Sequence, residues 1–162
     1  MRLLILPLLA LLAISTTAQQ NGNLQTVTTD CTFDDGKQIS LQYNPAKGDE
    51  PRNGKIWEPG GAPMVLFAQA PLTLSSSSIA PGAYTVYIIP GKKEWMLIVN
   101  KNVTPGSSYD SAKDLARGPM EIGEIDTPAK ELQASFAHMA PKTCSLRLYY
   151  GKVGAFAEFK EP

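Results

Sequence analysis

Short apolar segments with the periodicity of β-strands recur along the chain after its first eighteen residues. Within the segment 37–43, Ile39, Leu41 and Tyr43 alternate with polar residues, so one face of the strand would be buried and the other solvated. Glycine, proline, asparagine and aspartate separate these segments, and no stretch of helical period reaches a useful length. The pattern predicts an antiparallel all-β protein.

The clearest unit is a predicted hairpin of strands 83–89 and 94–100, joined by a short loop that begins with Pro90-Gly91. Its second strand is apolar on both faces, which indicates a central strand covered on both sides. The other predicted strands are 24–33, 37–43, 64–70, 72–76, 120–125, 131–138, 143–150 and 153–159. We expect these nine or ten strands to form a two-sheet β-sandwich rather than one closed sheet. The spacing of Ser111 and Asp114 predicts one short helical turn over 111–117.

The first eighteen residues have the parts of a secretory signal. Arg2 precedes an apolar run from Leu3 to Ala13, and small residues lead to Ala18. Because the run is shorter than the roughly 20 residues that span a bilayer, cleavage after Ala18 is favoured over a retained anchor. The sequence thus predicts a signal peptide at 1–18 and a single β-sandwich domain at 19–162. We expect an exported protein, periplasmic or extracellular, with no membrane span after cleavage.

Two cysteines, Cys31 and Cys144, lie in predicted strands. An even number of cysteines in an exported chain favours one disulfide between them. The alternative is two separate buried thiols, because free cysteine behaves as a small apolar residue. A bridge requires the strand at 24–33 and the strand at 143–150 to be neighbours in space.

The charges of the chain are balanced and dispersed. The full sequence contains 15 Lys and Arg against 15 Asp and Glu, and neither sign is concentrated in one stretch. Nucleic acids and anionic membrane surfaces require a basic patch. We therefore expect neither as a partner.

The sequence lacks the residue sets of the common hydrolases and metal sites. His138 is the only histidine, and no Gly-x-Ser-x-Gly motif supplies a nucleophile for it, so we expect it to face solvent at a strand end. One histidine and two distant cysteines do not make a zinc site. We predict no catalytic residues, no metal and no cofactor.

Several short motifs resemble one family. At the hairpin these are Pro81-Gly82-Ala83-Tyr84, Ile89-Pro90-Gly91, Glu94-Trp95 and Asn100-Lys101, with Tyr43-Asn44-Pro45-Ala46-Lys47-Gly48 upstream and Tyr109, Asp114 and Arg117 downstream. Together they resemble the exported bacterial proteins grouped as domain of unknown function 2911. The resemblance implies bacterial export and a β-rich fold, and it implies no known activity. After Trp57 the family continues with an arginine, a glycine and an Asn-Glu pair, whereas this chain reads Glu58-Pro59-Gly60-Gly61.

The segment 44–63 is the candidate for function, because it is a long glycine- and proline-rich loop on a β scaffold. The predicted ligand-binding residues are Tyr43, Arg52, Lys55, Trp57 and Glu58. For Trp57 we expect a role as an anchor of the loop against the edge of the sandwich; the alternative, on which the predicted ligand site draws, is an exposed ring whose face could stack on a sugar.

These features favour a non-catalytic binding or structural module of the bacterial envelope or exterior, with a glycan or a peptide as its ligand. One alternative is a carboxylate-dependent hydrolase that acts on glycans. The other is a self-associating scaffold protein, which would present a flat apolar patch.

Overall fold

A computed structural model describes residues 25–162, and the predicted signal peptide with its cleavage site lies outside this range. The strands are β1 Val27–Thr32, β2 Gln38–Tyr43, β3 Met64–Ala68, β4 Leu72–Leu74, β5 Ser77–Ile79, β6 Gly82–Ile89, β7 Glu94–Asn100, β8 Asp114–Ala140 and β9 Thr143–Lys160. Two 3₁₀ turns, Pro59–Gly61 and Ser111–Lys113, are the helical elements of this range. The predicted antiparallel all-β fold is confirmed.

Hydrogen bonds join all nine strands into one antiparallel sheet with the order β1-β2-β3-β6-β7-β8-β9-β4-β5. The sequence analysis divided the strands between two sheets. The sheet is continuous because β8 and β9 are long and pair with each other over both of their halves. The register of their pairing shifts between Glu124 and Ala129. A shift of this kind bends the paired strands, and the pairing then continues on both sides of the bend.

Strand β9 turns back on itself near its middle. Gly151 has a φ of 56°, a left-handed conformation that glycine adopts at little cost. The N–H of Glu161, just after the strand, donates to the carbonyl of Lys142, just before it, at 2.9 Å. The separate segments 143–150 and 153–159 predicted from the sequence are thus the two limbs of β9.

The first strand lies against β8 and β9, which are distant from it in the strand order of the sheet. The N–H of Phe136 in β8 donates to the Thr29 hydroxyl of β1 at 3.2 Å. Cys31 of β1 and Cys144 of β9 form a disulfide, with a Cα–Cα distance of 6.2 Å. The predicted bridge and the predicted neighbourhood of these two strands are both confirmed, and the sheet folds over to enclose one core.

The core consists of the inward-facing residues, which alternate with outward-facing ones along the strands, as the pattern predicts. Ile39, Leu41 and Leu97 are fully buried. The β4 strand packs so closely on β8 that a Cβ atom added to Gly118 would lie 2.6 Å from Cγ of Leu74. Glycine is therefore the residue that allows β4 to cover this part of the core.

The predicted helical turn over 111–117 is wrong in extent. Only Ser111–Lys113 forms a 3₁₀ turn, and β8 begins at Asp114. The N-cap is Asp110, whose carboxylate accepts the N–H of Ala112 at 3.0 Å. Pairing of β8 with β7 begins with Asn100 opposite Asp114, and this pairing replaces further helix.

Candidate functional site

The predicted binding loop, residues 44–63, is closely packed against itself. The buried side chain of Asn44 donates to the carbonyl of Gly60 at 2.7 Å. Gly60 has a φ of 76°, and a Cβ atom there would lie 2.1 Å from the carbonyl oxygen of Asn44. A Cβ on Gly48 would lie 2.4 Å from the backbone nitrogen of Gly61. These contacts between backbones fix the two ends of the loop to each other.

The loop is also tied to the strands beneath it. The N–H of Leu132 donates to the carbonyl of Ala46 at 3.1 Å, and the Tyr150 hydroxyl donates to the carbonyl of Gly48 at 3.0 Å. Trp57 and Ile88 of β6 exchange both of their backbone hydrogen bonds. These contacts fix the backbone of the loop to the sheet at three points.

The side chain of Trp57 is buried, with 5% of its surface exposed, so the alternative of an exposed ring is wrong. Its ring makes edge-to-face contacts with Trp95 and with Tyr150, with centroid distances of 5.4 Å and 5.0 Å. Its Nε1 donates to the carbonyl of Asp49 at 2.7 Å. Trp57 thus anchors the loop, as expected.

Four of the five predicted ligand-binding residues line one surface pocket of about 490 Å³: Arg52, Lys55, Trp57 and Glu58. Asp49, Glu50, Ile56 and Gly61 complete its wall. Tyr43 does not take part, because it is an inward residue of β2 and is buried in the core. We call this pocket the loop pocket.

The loop pocket contains charges of both signs. The carboxylate of Glu50 pairs with Lys47 at 3.6 Å. Among residues 25–162, no carboxylate lies within 4 Å of the cationic groups of Arg52 and Lys55. Burial raises the pKa of the Glu58 carboxyl. Polar groups without protein partners therefore converge on this pocket.

Tyr87 adjoins Glu58 on the face of the sheet opposite the core. Because Trp57 lies opposite Ile88, the next residues of the two antiparallel segments, Glu58 and Tyr87, are also neighbours. The pKa of the Tyr87 hydroxyl is raised, first by burial and then by the negative charges of Glu58 and Asp114. Sequence reasoning did not include Tyr87 in the site, since the pairing of residue 57 with residue 88 has no local signal.

The residues that carried the downstream part of the resemblance form a hydrogen-bonded network. Asp114 Oδ2 accepts from the Tyr109 hydroxyl at 2.7 Å and from Nε of Arg117 at 2.9 Å. Its Oδ1 accepts from the side chain of the buried Asn100 at 2.7 Å. The Tyr109 ring meets Tyr87 edge to face, with a centroid distance of 5.0 Å. The network holds the segment 101–113 over Tyr87.

Both oxygens of Asp114 accept hydrogen bonds from these donors, so its carboxylate is held in one position within the network. The Tyr109 hydroxyl donates to Asp114 and accepts from Arg117 at 2.8 Å. The network is therefore a structural support beside the loop pocket, and the sequence signal that located it was the resemblance.

The match to a known family covers this whole region. A family model described as "Protein of unknown function (DUF2911)" matches residues 25–159. The chain belongs to the DUF2911 family. The match includes the loop pocket, Tyr87 and the Asp114 network, so all three lie within the DUF2911 domain. No curated protein and no solved structure matches the chain.

The segment that follows Trp57 forms a tight turn. Pro59–Gly61 forms a 3₁₀ turn, and Gly60 packs against Asn44, a residue of the upstream motif. Glu58 precedes this turn and is the half-buried acid of the pocket. In this DUF2911 member the position that follows Trp57 thus carries a carboxylate.

The remaining candidates do not form a site. His138 is exposed near the end of β8, as predicted, with its Nε2 3.3 Å from Oδ1 of Asp34. In the part of the chain from 25 to 162, no three His, Cys, Asp or Glu side chains are grouped so that they could hold a metal ion. The same residues include no helix with the length and apolarity to cross a bilayer.

Proposed function

We propose that this protein is a non-catalytic binding module that acts outside the cytoplasm, with the loop pocket as its ligand site. The observation that supports this proposal is the convergence of Arg52, Lys55 and Glu58 on one concavity. The loop that carries them is fixed at both ends by close backbone contacts. A preformed pocket on a rigid frame is the usual form of a site that binds without chemistry.

Action outside the cytoplasm is supported by the disulfide between Cys31 and Cys144, because such bonds persist in oxidising compartments. It is also supported by the signal-like residues 1–18. We accordingly propose that the protein is bacterial and resides in the periplasm or outside the cell.

The charge pattern gives no support to a carboxylate-dependent hydrolase. A retaining glycosidase holds two carboxyl groups about 5–5.5 Å apart, and their repulsion raises one of the two pKa values. The pKa of Glu58 is raised by burial, without a contribution from a neighbouring acid. Asp49 and Glu50 line the same pocket but do not act on Glu58 in this way.

Tryptophan fluorescence tests the proposed function directly. Trp57 forms part of the pocket wall, so a ligand that fills the pocket should change the emission of the purified protein. The titrants are a panel of glycans and a panel of peptides. We expect saturable binding by a member of one panel, weakened by about 10- to 150-fold by Lys55→Ala, as the loss of one hydrogen bond from a charged group predicts.

Lys152→Ala is the matched control, because Lys152 is an exposed lysine that lines a different pocket, beside Lys92 and Lys93. It should bind like the unaltered protein. Equal affinity of Lys55→Ala and Lys152→Ala, or no response to any member of either panel, would contradict the proposed function.

A further inference from the structure

A second concavity lies on the outer face of β8 and β9. It has a volume of about 650 Å³, against about 490 Å³ for the loop pocket, and the two share no lining residue. Its wall includes Ser145, Arg147 and Tyr149, which alternate with buried residues along the first limb of β9 and so lie on one face of the strand. We call this concavity the strand groove.

The hydroxyl group of Ser145 opens into the strand groove. The residue is 6% exposed, and its side chain makes no hydrogen bond with residues 25–162. Every fully buried side-chain polar atom in this range has a partner, so the Ser145 hydroxyl reaches solvent through the groove that the residue lines. A polar group in such a position takes its hydrogen bond from water or from a ligand.

Two side chains of opposite charge line the groove without pairing. Arg147 is half-buried, and no carboxylate of the described part of the chain lies within 4 Å of its guanidinium. Glu121 of β8 likewise has no described cationic group within this distance. The other two charged residues of the groove, Glu158 and Lys160, pair with each other at 3.0 Å. The groove thus contains one free cation and one free anion.

The fold sets the separation of Glu121 and Arg147. Glu121 lies opposite Phe156 in the pairing of β8 with the second limb of β9. The Phe156 ring contacts Tyr149 of the first limb, with ring centroids 6.1 Å apart. Because Arg147 shares a face with Tyr149, two strand spacings, about 10 Å, separate the backbones of Glu121 and Arg147. Their side chains therefore reach into the groove from its two sides.

Apolar groups lie beside the charged ones. Met139 is 53% exposed, and its Sδ is 3.5 Å from Nη2 of Arg147. The rings of Tyr149 and Phe156 line the same groove. An apolar substituent next to a carboxylate held by Arg147 would thus meet a thioether and two aromatic rings.

We infer that the strand groove binds a small zwitterion with an apolar side chain, the chemistry shared by free apolar amino acids and their dipeptides. Its carboxylate accepts hydrogen bonds from the Arg147 guanidinium, whose fork matches a carboxylate, and from the Ser145 hydroxyl. Its ammonium group pairs with Glu121. A ligand with only one of the two charges leaves one of these protein groups without a partner, so the groove selects against it.

The test pairs the removal of a charge from the ligand with its removal from the protein. The zwitterionic probes are phenylalanine and the dipeptide of two phenylalanines. Phenylpropionate lacks the ammonium group of phenylalanine, and phenethylamine lacks its carboxylate. Affinities are measured by isothermal titration calorimetry for the unaltered protein, Arg147→Gln, Glu121→Gln and Ser145→Ala, and thermal unfolding checks that each variant is folded.

Lys152→Gln and Glu124→Gln are the matched controls. These two residues are exposed, pair with each other at 3.8 Å and line a different pocket. They should leave the binding of every probe unchanged.

We expect a zwitterionic probe to bind the unaltered protein at least about tenfold more tightly than either truncated compound. In Arg147→Gln, phenylalanine should lose its advantage over phenethylamine, because the carboxylate no longer has its partner. In Glu121→Gln it should lose its advantage over phenylpropionate. Ser145→Ala should weaken binding of the zwitterion about tenfold. Whether phenylalanine or its dipeptide binds more tightly identifies the source of the ligand.

Three results would overturn the inference: no binding of either zwitterion, equal binding of phenylalanine and a truncated compound by the unaltered protein, or preferences that Arg147→Gln and Glu121→Gln leave intact. The inference does not rest on the proposed function. Binding that Arg147→Gln weakens and Lys55→Ala preserves belongs to the strand groove, and the reverse pattern belongs to the loop pocket.

Discussion

Removal of the disulfide should cost the protein a large part of its stability. The bond joins residues 113 positions apart. Without it the unfolded chain gains conformational entropy, and for a closed loop of this length the gain lowers the free energy of unfolding by about 5 kcal/mol. Both cysteines are buried, so we choose Cys31→Ala with Cys144→Ala to avoid placing polar groups in the core. Single domains have a free energy of unfolding of about 5–15 kcal/mol, and the loss is therefore a substantial share.

The assay is urea unfolding followed by tryptophan fluorescence and by circular dichroism. With a slope of about 2 kcal/mol per M, the expected loss lowers the urea midpoint by about 2.5 M. Reductant should move the unaltered protein to the midpoint of the double variant and should leave that variant unchanged. A midpoint shift below about 0.5 M would refute the reasoning, because the unfolded chain would then gain little freedom without the bond.

Two further changes test the packing and the pocket. Gly118→Ala should destabilise the protein by about 1–3 kcal/mol, because the new methyl group overlaps the Leu74 side chain. In a double-mutant cycle, Leu74→Ala should therefore destabilise the Gly118→Ala variant less than it destabilises the unaltered protein. Additive losses of stability would count against the overlap. Glu58→Gln should raise the stability at pH 7 and have little effect near pH 4. The pKa of Glu58 is raised in the folded protein, so between the ordinary pKa and the raised one the folded state holds a proton that the unfolded state has released. The stability of the unaltered protein therefore falls as the pH rises through this window, and the variant avoids that loss. Thermal midpoints at both pH values measure this, and an equal gain at pH 4 and pH 7 would show that the charge of Glu58 is not the cause.

Strands were predictable where one face is apolar and the other is polar. The alternation of Ile39, Leu41 and Tyr43 located β2, and the hairpin of β6 and β7 was found with nearly correct ends. Strand β5, Ser77–Ile79, escaped prediction because it contains one apolar residue after two serines. The joining of 120–125 and 131–138 into β8 also has no local signal, since it depends on the partner strand β9.

The candidate site was predictable in its loop and not in its surroundings. Arg52, Lys55 and Glu58 follow from a long polar loop of glycine and proline. The burial of Trp57 depends on Trp95 and Tyr150, which come from β7 and β9 and are brought to it only by the folded sheet. The neighbouring Tyr87 looks like an ordinary core residue in the sequence, because its hydroxyl is placed by the pairing of two distant segments.

The close packing of Gly48, Gly60 and Asn44 has a consequence for protein engineering. These contacts hold the base of the loop, whereas the four residues 52–55 at its tip are all exposed. Side chains at the tip make no buried contacts, so a library randomised at Arg52, Asn53 and Lys55 would vary the exposed surface of the loop while the frame stays constant. The disulfide-linked sheet is in this respect a display scaffold, with a variable tip mounted on an invariant base.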